Sequence, residues 1–180
     1  MARKPRPRSF TLQPNPADLP ALLARYGPPQ DMGALAAGKL IRAGQYTRAN
    51  LSEIFEWKTK GRGRSRLLRN TDEEIEDALQ LATNAKTERA AISVLQGLYG
   101  VDVPVASAIL AMIYPERYTI IDFRALHALG NRITDRSVDF FLIYLLYCRQ
   151  LAKTHKLSLR NLDRALWRWS DENPPPTIRT

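Results

Sequence analysis

LYGVDVPVASAILAMIYPERYTIID, residues 98–122, holds in one run a glycine turn, a helical pattern and a lone carboxylate. Val105, Ala108, Ile109 and Met112 recur at helical spacing, as do Ala91, Val94, Leu95 and Leu98 just upstream. The two stripes are joined by a short connection containing Gly100. Pro104 opens the second helix, where its missing N–H costs nothing, and Ala106, Ser107 and Ala108 are small enough for close helix packing. The segment therefore reads as a helix-hairpin-helix with its hairpin at residues 98–105. Such a turn aims backbone N–H groups and a helix N-terminus at a phosphate without reading any base. Pro115 ends the second helix, an extended YTII follows, and Asp122 stands directly before a further helical pattern over residues 123–129, stopped by Gly130.

Working outward, the same periodicity predicts a short helix over residues 17–26 ending at GPP and a weak one over 34–42. A stronger helix over 48–58 places Leu51, Ile54, Phe55 and Lys58 on one face. KTKGRGRSRLLR, residues 58–69, has six cations, two glycines and no acid, and reads as a flexible basic loop. Thr71 and Glu74 have the spacing of a capping box, so a helix begins there. Ser137 opens a helix that is apolar nearly all round and is therefore expected at the centre of the fold. Leu159, Leu162, Leu166 and Trp169 stripe the last helix. No long alternating strand appears, so the expected class is all-α. The organisation expected is a mobile basic arm over residues 1–16, one helical domain over 17–171 and a frayed tail over 172–180.

Composition narrows the function. The 180 residues carry a net charge of +9 and are 44% hydrophobic, enough apolar material for a core. Residues 1–70 hold 14 Lys and Arg against 4 Asp and Glu, whereas residues 71–180 hold 13 against 14. Charge concentrated at one end points to a polyanion, because each cation that meets a phosphate releases a condensed counterion. The single cysteine, Cys148, excludes an intramolecular disulfide, an iron–sulfur cluster and a Cys-rich zinc cage. His127 and His155 lack neighbouring ligands at metal spacing, so neither metal nor cofactor is expected. The longest apolar run, residues 140–148, is too short to cross a bilayer, and the N-terminus lacks a signal-peptide pattern; the expectation is a monomer in the cytoplasm or nucleoid with no membrane contact.

The register of hairpin and acid resembles that of the helix-hairpin-helix superfamily of DNA glycosylases. There, a leucine and a Gly-hydrophobic-Gly hairpin are followed, after the second helix, by an aspartate at the mouth of the base pocket. Leu98, Gly100 and Val101 match the hairpin, Val103 continues it, and Asp122 stands where the family's aspartate stands. The resemblance implies that Asp122 stabilises positive charge developing on a deoxyribose as an N-glycosidic bond breaks, work for which a preorganised carboxylate is suited. Asp is also a favoured helix N-cap, and both roles are compatible. Two departures bear on the chemistry. Relatives that also nick the backbone carry a Schiff-base lysine at the hairpin's end, where this chain has Pro104, so base removal without lyase activity is implied. The second hairpin glycine is replaced by Asp102, an acid near the expected phosphate.

Upstream, LSEIFEWKTKG, residues 51–61, resembles the adenine-specific branch, in which a Leu-Ser-Glu helix carries the acid that protonates the leaving base. Glu53 would be that acid. The branch's Gln-rich wedge is replaced by Trp57, Lys58, Thr59 and Lys60, so Trp57 is a candidate for base stacking or for filling the gap left by a flipped base. Lys58, Lys60, Arg62, Arg64 and Arg66 would hold the backbone. The alternative for both Glu53 and Trp57 is structural, a solvated helix residue and a core residue. GALAAGKL, residues 33–40, only approaches a P-loop, since Leu40 replaces the magnesium-binding hydroxyl and no strand precedes it. Cys148, Tyr144, Tyr147, Trp167 and Trp169 sit among aliphatics and are expected in the core. The function these readings imply is a monofunctional DNA glycosylase acting on a modified or mismatched base in double-stranded DNA, in base-excision repair or against modified foreign DNA. The alternatives are a non-catalytic helix-hairpin-helix DNA-binding module and an RNA-binding helical protein.

Overall fold

The computed structural model describes residues 10–27, 30–131 and 135–174, and among these every regular element is helical. After a short 3-10 turn, Pro16–Asp18, the helices are α1 Leu19–Arg25, α2 Met32–Arg42, α3 Arg48–Thr59, α4 Arg64–Leu67, α5 Asp72–Asn84 and α6 Glu88–Leu95, then α7 Val103–Ile113, α8 Phe123–Ala128, α9 Val138–Thr154 and α10 Leu159–Glu172. Thr47, Thr71, Thr87, Asp102, Asp122, Ser137 and Ser158 each precede a helix and accept a hydrogen bond from a backbone N–H of its first turn. The capping box of Thr71 and Glu74 forms in both directions.

The most deeply buried helix is α7, in which every residue except Pro104 is enclosed. It packs against α2, α3 and α6. Gly38 of α2 makes that approach possible, because a Cβ there would lie 2.1 Å from the Met112 carbonyl oxygen. The Gly-x4-Gly-Lys pattern is thus part of a helix crossing. By contrast α9, expected at the centre, is one-sided: Phe140, Phe141, Tyr144, Leu145 and Cys148 are buried, but Leu146 is 67% exposed. It packs against α6 and α10, while Ile143 and Leu146 are left exposed.

The expected mobile arm over residues 1–16 is docked in the part that is described. Residues 1–9 lie outside the described residues, but residues 10–16 are docked rather than mobile. Phe10 packs its ring against Phe140, Tyr144 and Tyr147, and the backbone N–H groups of Thr11 and Gln13 donate to the carbonyls of Leu129 and Ala128 at 2.9 and 2.8 Å. One aromatic anchor outweighs the ordering cost that the prolines and cations suggested. At the other end, where a frayed tail was expected from residue 172, Glu172 still belongs to α10 and pairs with Arg25 and Arg168, and residues 175–180 lie outside the described residues.

Residues 58–69 also depart from the flexible basic loop expected. Lys58 and Thr59 finish α3, Lys60, Gly61 and Gly63 take left-handed conformations that turn the chain, and α4 buries Leu67. The buried Asn70 side chain ties this segment to the hairpin: its amide donates to the carbonyls of Leu67 and Tyr99 at 2.8 and 3.1 Å, and its oxygen accepts from the Tyr99 N–H at 2.8 Å.

Candidate functional site

The extended segment that carries Asp122 is pinned on two sides. The Ile121 N–H donates to Ser107 Oγ of α7 at 3.2 Å, and the Tyr144 hydroxyl of α9 donates to the Ile120 carbonyl at 2.8 Å. Asp122 is held in turn: Oδ1 accepts from the Ala125 N–H at 2.9 Å, capping α8, and Oδ2 accepts from Lys58 Nζ at 3.2 Å. The capping role foreseen for this acid is therefore met, with its second oxygen turned to a cation.

Asp122 and Lys58 open onto a cavity of about 130 Å³, walled by Tyr26, Trp57, Asp163 and Trp167 and completed by Gln30, Lys60, Ile120 and Arg160. That volume is close to the ~150 Å³ of an engineered apolar cavity that takes up a benzene ring. The space suits one planar ring, and three aromatic side chains stand round it. Trp57 packs in the wall, with the Arg160 guanidinium 5.3 Å from its ring centre, and so belongs to the cavity rather than to a protruding wedge. Trp167, expected in the core, faces the cavity instead, stacked edge-on with Tyr26 at 5.7 Å and under Arg124 at 4.7 Å. The reason is its position four residues after Asp163, on the polar side of α10 rather than on the Leu159–Leu162–Leu166 stripe. Tyr144 is buried as expected, while Tyr147 and Trp169 pack against the core partly exposed.

A second, wider depression of about 470 Å³ adjoins the first, with Lys58 common to both. Lys58, Arg62, Arg66 and Arg136 supply its cations, and Gly100, Val101 and Asp102 bring in the hairpin. Asp102 is not a bare charge: Oδ1 accepts from the Val105 N–H at 3.1 Å as helix cap, and Oδ2 accepts from Arg136 Nη1 at 2.7 Å. Arg136 escaped the sequence reading because nothing in its local pattern shows that it returns to the hairpin. Thr59 Oγ1, of a residue that also lines this groove, is buried and has no hydrogen-bond partner among the described residues.

Other expected site residues lie elsewhere. Glu53 is exposed on α3 with Oε1 against Gly33 of α2, and it does not line the cavity. Arg64 pairs with Glu56 at 3.2 Å and lines neither depression, and Lys60 lines the cavity rather than the groove. Val103 is buried in the core, which leaves only its main chain for any ligand at the hairpin.

The acid that was missed is Asp163. It sits in a buried ionic network in which Arg160 bonds both Asp163 and Asp31, and Arg164 bonds Asp31. Burial alone would raise the Asp31 carboxyl, but Arg160 and Arg164 hold it below the usual carboxylate range. Asp163 is pushed up to about 6, first by burial and then by Asp122, against the opposing pull of Arg160. The sequence does carry a trace of this: Arg160, Asp163, Arg164 and Trp167 recur at helical spacing and mark a polar face beside the apolar stripe.

The remaining reactive types are structural. Cys148 is buried and its thiol is pushed up by burial. His127 Nδ1 lies 3.0 Å from Ser170 Oγ with its ring against Trp169. Among the described residues, no group of His, Cys, Asp and Glu is placed to hold a metal ion, and no helix is long and apolar enough to cross a membrane. Comparisons of the chain with protein-family models, curated proteins and solved structures find no match.

Proposed function

We propose that this protein is a DNA glycosylase that hydrolyses the N-glycosidic bond of a modified or mismatched nucleotide flipped from duplex DNA. The observation that carries this reading is adjacency: Lys58 is shared by the acid-bearing aromatic cavity and by the cationic groove that the hairpin borders. The groove holds the backbone through Arg62, Arg66, Arg136 and the hairpin main chain, and the extruded base enters the cavity between aromatic walls. There the Asp122 carboxylate faces the sugar, stabilises the oxocarbenium-like state as the C1′–N bond breaks, and orients the incoming water. With Pro104 at the hairpin position of the nicking relatives' lysine, the product is an abasic site in an intact strand.

The Asp122→Asn variant isolates charge from architecture, because asparagine caps a helix as well as aspartate does. Duplexes that each carry one damaged, mismatched or hypermodified base are incubated with both proteins and free base is measured. The wild type is expected to release base from a subset, and the variant to be slower by about 10²–10³-fold, the usual cost of losing one transition-state electrostatic contact. Equal rates would overturn the mechanism. The base released also separates repair of the cell's own duplex from attack on modified foreign DNA. A non-catalytic DNA-binding module is favoured by one observation, that both Asp122 oxygens are already engaged; salt-sensitive duplex binding without release on the whole panel supports it.

A further inference from the structure

We propose that Asp163 is the second acid of this site, the group that protonates the departing base while Asp122 faces the sugar. The assignment rests on the glycosylase reading above. A base leaving a deoxyribose takes the electron pair of the C1′–N bond, and a proton delivered to a ring nitrogen lets it leave neutral. Water then adds its oxygen to C1′, and the proton it loses returns through solvent to the donor carboxylate, so the net reaction is hydrolysis. The structure offers two carboxylates in one cavity with different surroundings, the arrangement that separates an acid from an ionised partner.

Asp122 is fixed by an ammonium and a helix N-terminus. Asp163 is 7% exposed, and among the described residues Oδ2 accepts from Arg160 whereas Oδ1 has no protein donor. The groups facing it come from every side: Arg160 on its own helix, Asp31 before α2, Tyr26 after α1, Lys58 of α3, Asp122 at α8, and Tyr144 and Cys148 of α9. Burial and the two other acids favour its protonated form, and the resulting value near 6 places it where a neutral-pH proton donor works well. Glu53, the acid that the sequence offered for this task, lies outside the cavity.

The test is single-turnover base release against pH, for wild type and Asp163→Asn, on the base identified by the panel and on the same base bearing an electron-withdrawing ring substituent that stabilises its anion. Wild-type release of the parent base is expected to be full below about pH 6 and to fall as pH rises through that value. Asp163→Asn is expected to lose about 10²-fold or more on the parent base, to lose that pH limb, and to recover most of the rate on the electron-poor base, which needs no proton. Equal losses on both bases, or an unchanged pH profile, would overturn the assignment. Should the variant fail to fold by circular dichroism, the wild type decides: a rate flat between pH 5 and 8 with equal sensitivity to the substituent throughout counts against it. Release that Asp163→Asn leaves intact sinks the assignment alone, whereas no release by the wild type on any duplex sinks the glycosylase reading as well.

Discussion

Lys60 closes α3 with φ 54, a left-handed conformation that costs a side-chain-bearing residue about 1–2 kcal/mol. Glycine removes that strain but adds backbone entropy to the unfolded chain, so Lys60→Gly is expected to leave stability unchanged or raise it by about 0.5–1 kcal/mol in urea denaturation. Glycine at this position would serve the fold as well. Lys60 lines the cavity, and if the proposed DNA contact is made there the same variant is expected to bind duplex DNA more weakly, with the slope of log K against log salt smaller by about 1. An unchanged slope would remove Lys60 from the DNA contacts. The contrast between Asp122 and Asp163 shows what a sequence reveals at this scale. Asp122 could be picked out because its neighbours in the chain, a hairpin upstream and a helix directly after it, mark its position. Asp163 could not, because only Arg160 is near it in the chain, while its burial and its other neighbours, Lys58, Asp122 and Asp31, come from α3, the α8 cap and the turn before α2.

At the scale of elements, most helices were legible because α3 and α5 to α10 each begin with a side chain that caps them and carry apolar residues at helical spacing. What could not be read was which helices meet. The apolar count pointed to α9 as the centre, yet α7 is enclosed because small residues let α2 approach it. The basic segment read as flexible because its cations hide an anchor, Leu67, and the clamp that follows it, Asn70. That clamp is testable. Asn70→Ala leaves both the N–H and the carbonyl of Tyr99 without this partner in a part-buried setting, and a destabilisation of about 1–3 kcal/mol is expected in urea denaturation. Because the clamp also sets α4 against the hairpin, DNA affinity is expected to fall further than the population of unfolded protein explains. A variant that destabilises yet binds DNA normally when folded would show that groove and hairpin keep their register without it.

Across the whole molecule, the buried network of Asp31, Arg160, Asp163 and Arg164 joins α10 to the turn before α2 and supplies Arg160 and Asp163 to the cavity wall. Its two acids respond to pH in opposite senses. Asp163 binds its proton more tightly folded, at about 6, than unfolded, where an aspartate titrates near about 3.9. Its contribution to stability is therefore fully present below about pH 4 and is lost as pH rises to about 6. Asp31 is held below its unfolded value, so its contribution is present at neutral pH and is lost as acid carries the pH down through the folded value. Unfolding free energies of wild type and Asp163→Asn, measured in urea from pH 4 to 8, isolate the first effect because the other carboxylates are common to both proteins. The wild type's stability relative to the variant is expected to decline between about pH 4 and pH 6 and to level off above it. A difference that instead grows with pH over that interval would mean that Arg160 holds Asp163 ionised throughout. The carboxylate would then be a strut of the fold, and the proton for the departing base would have to come from elsewhere.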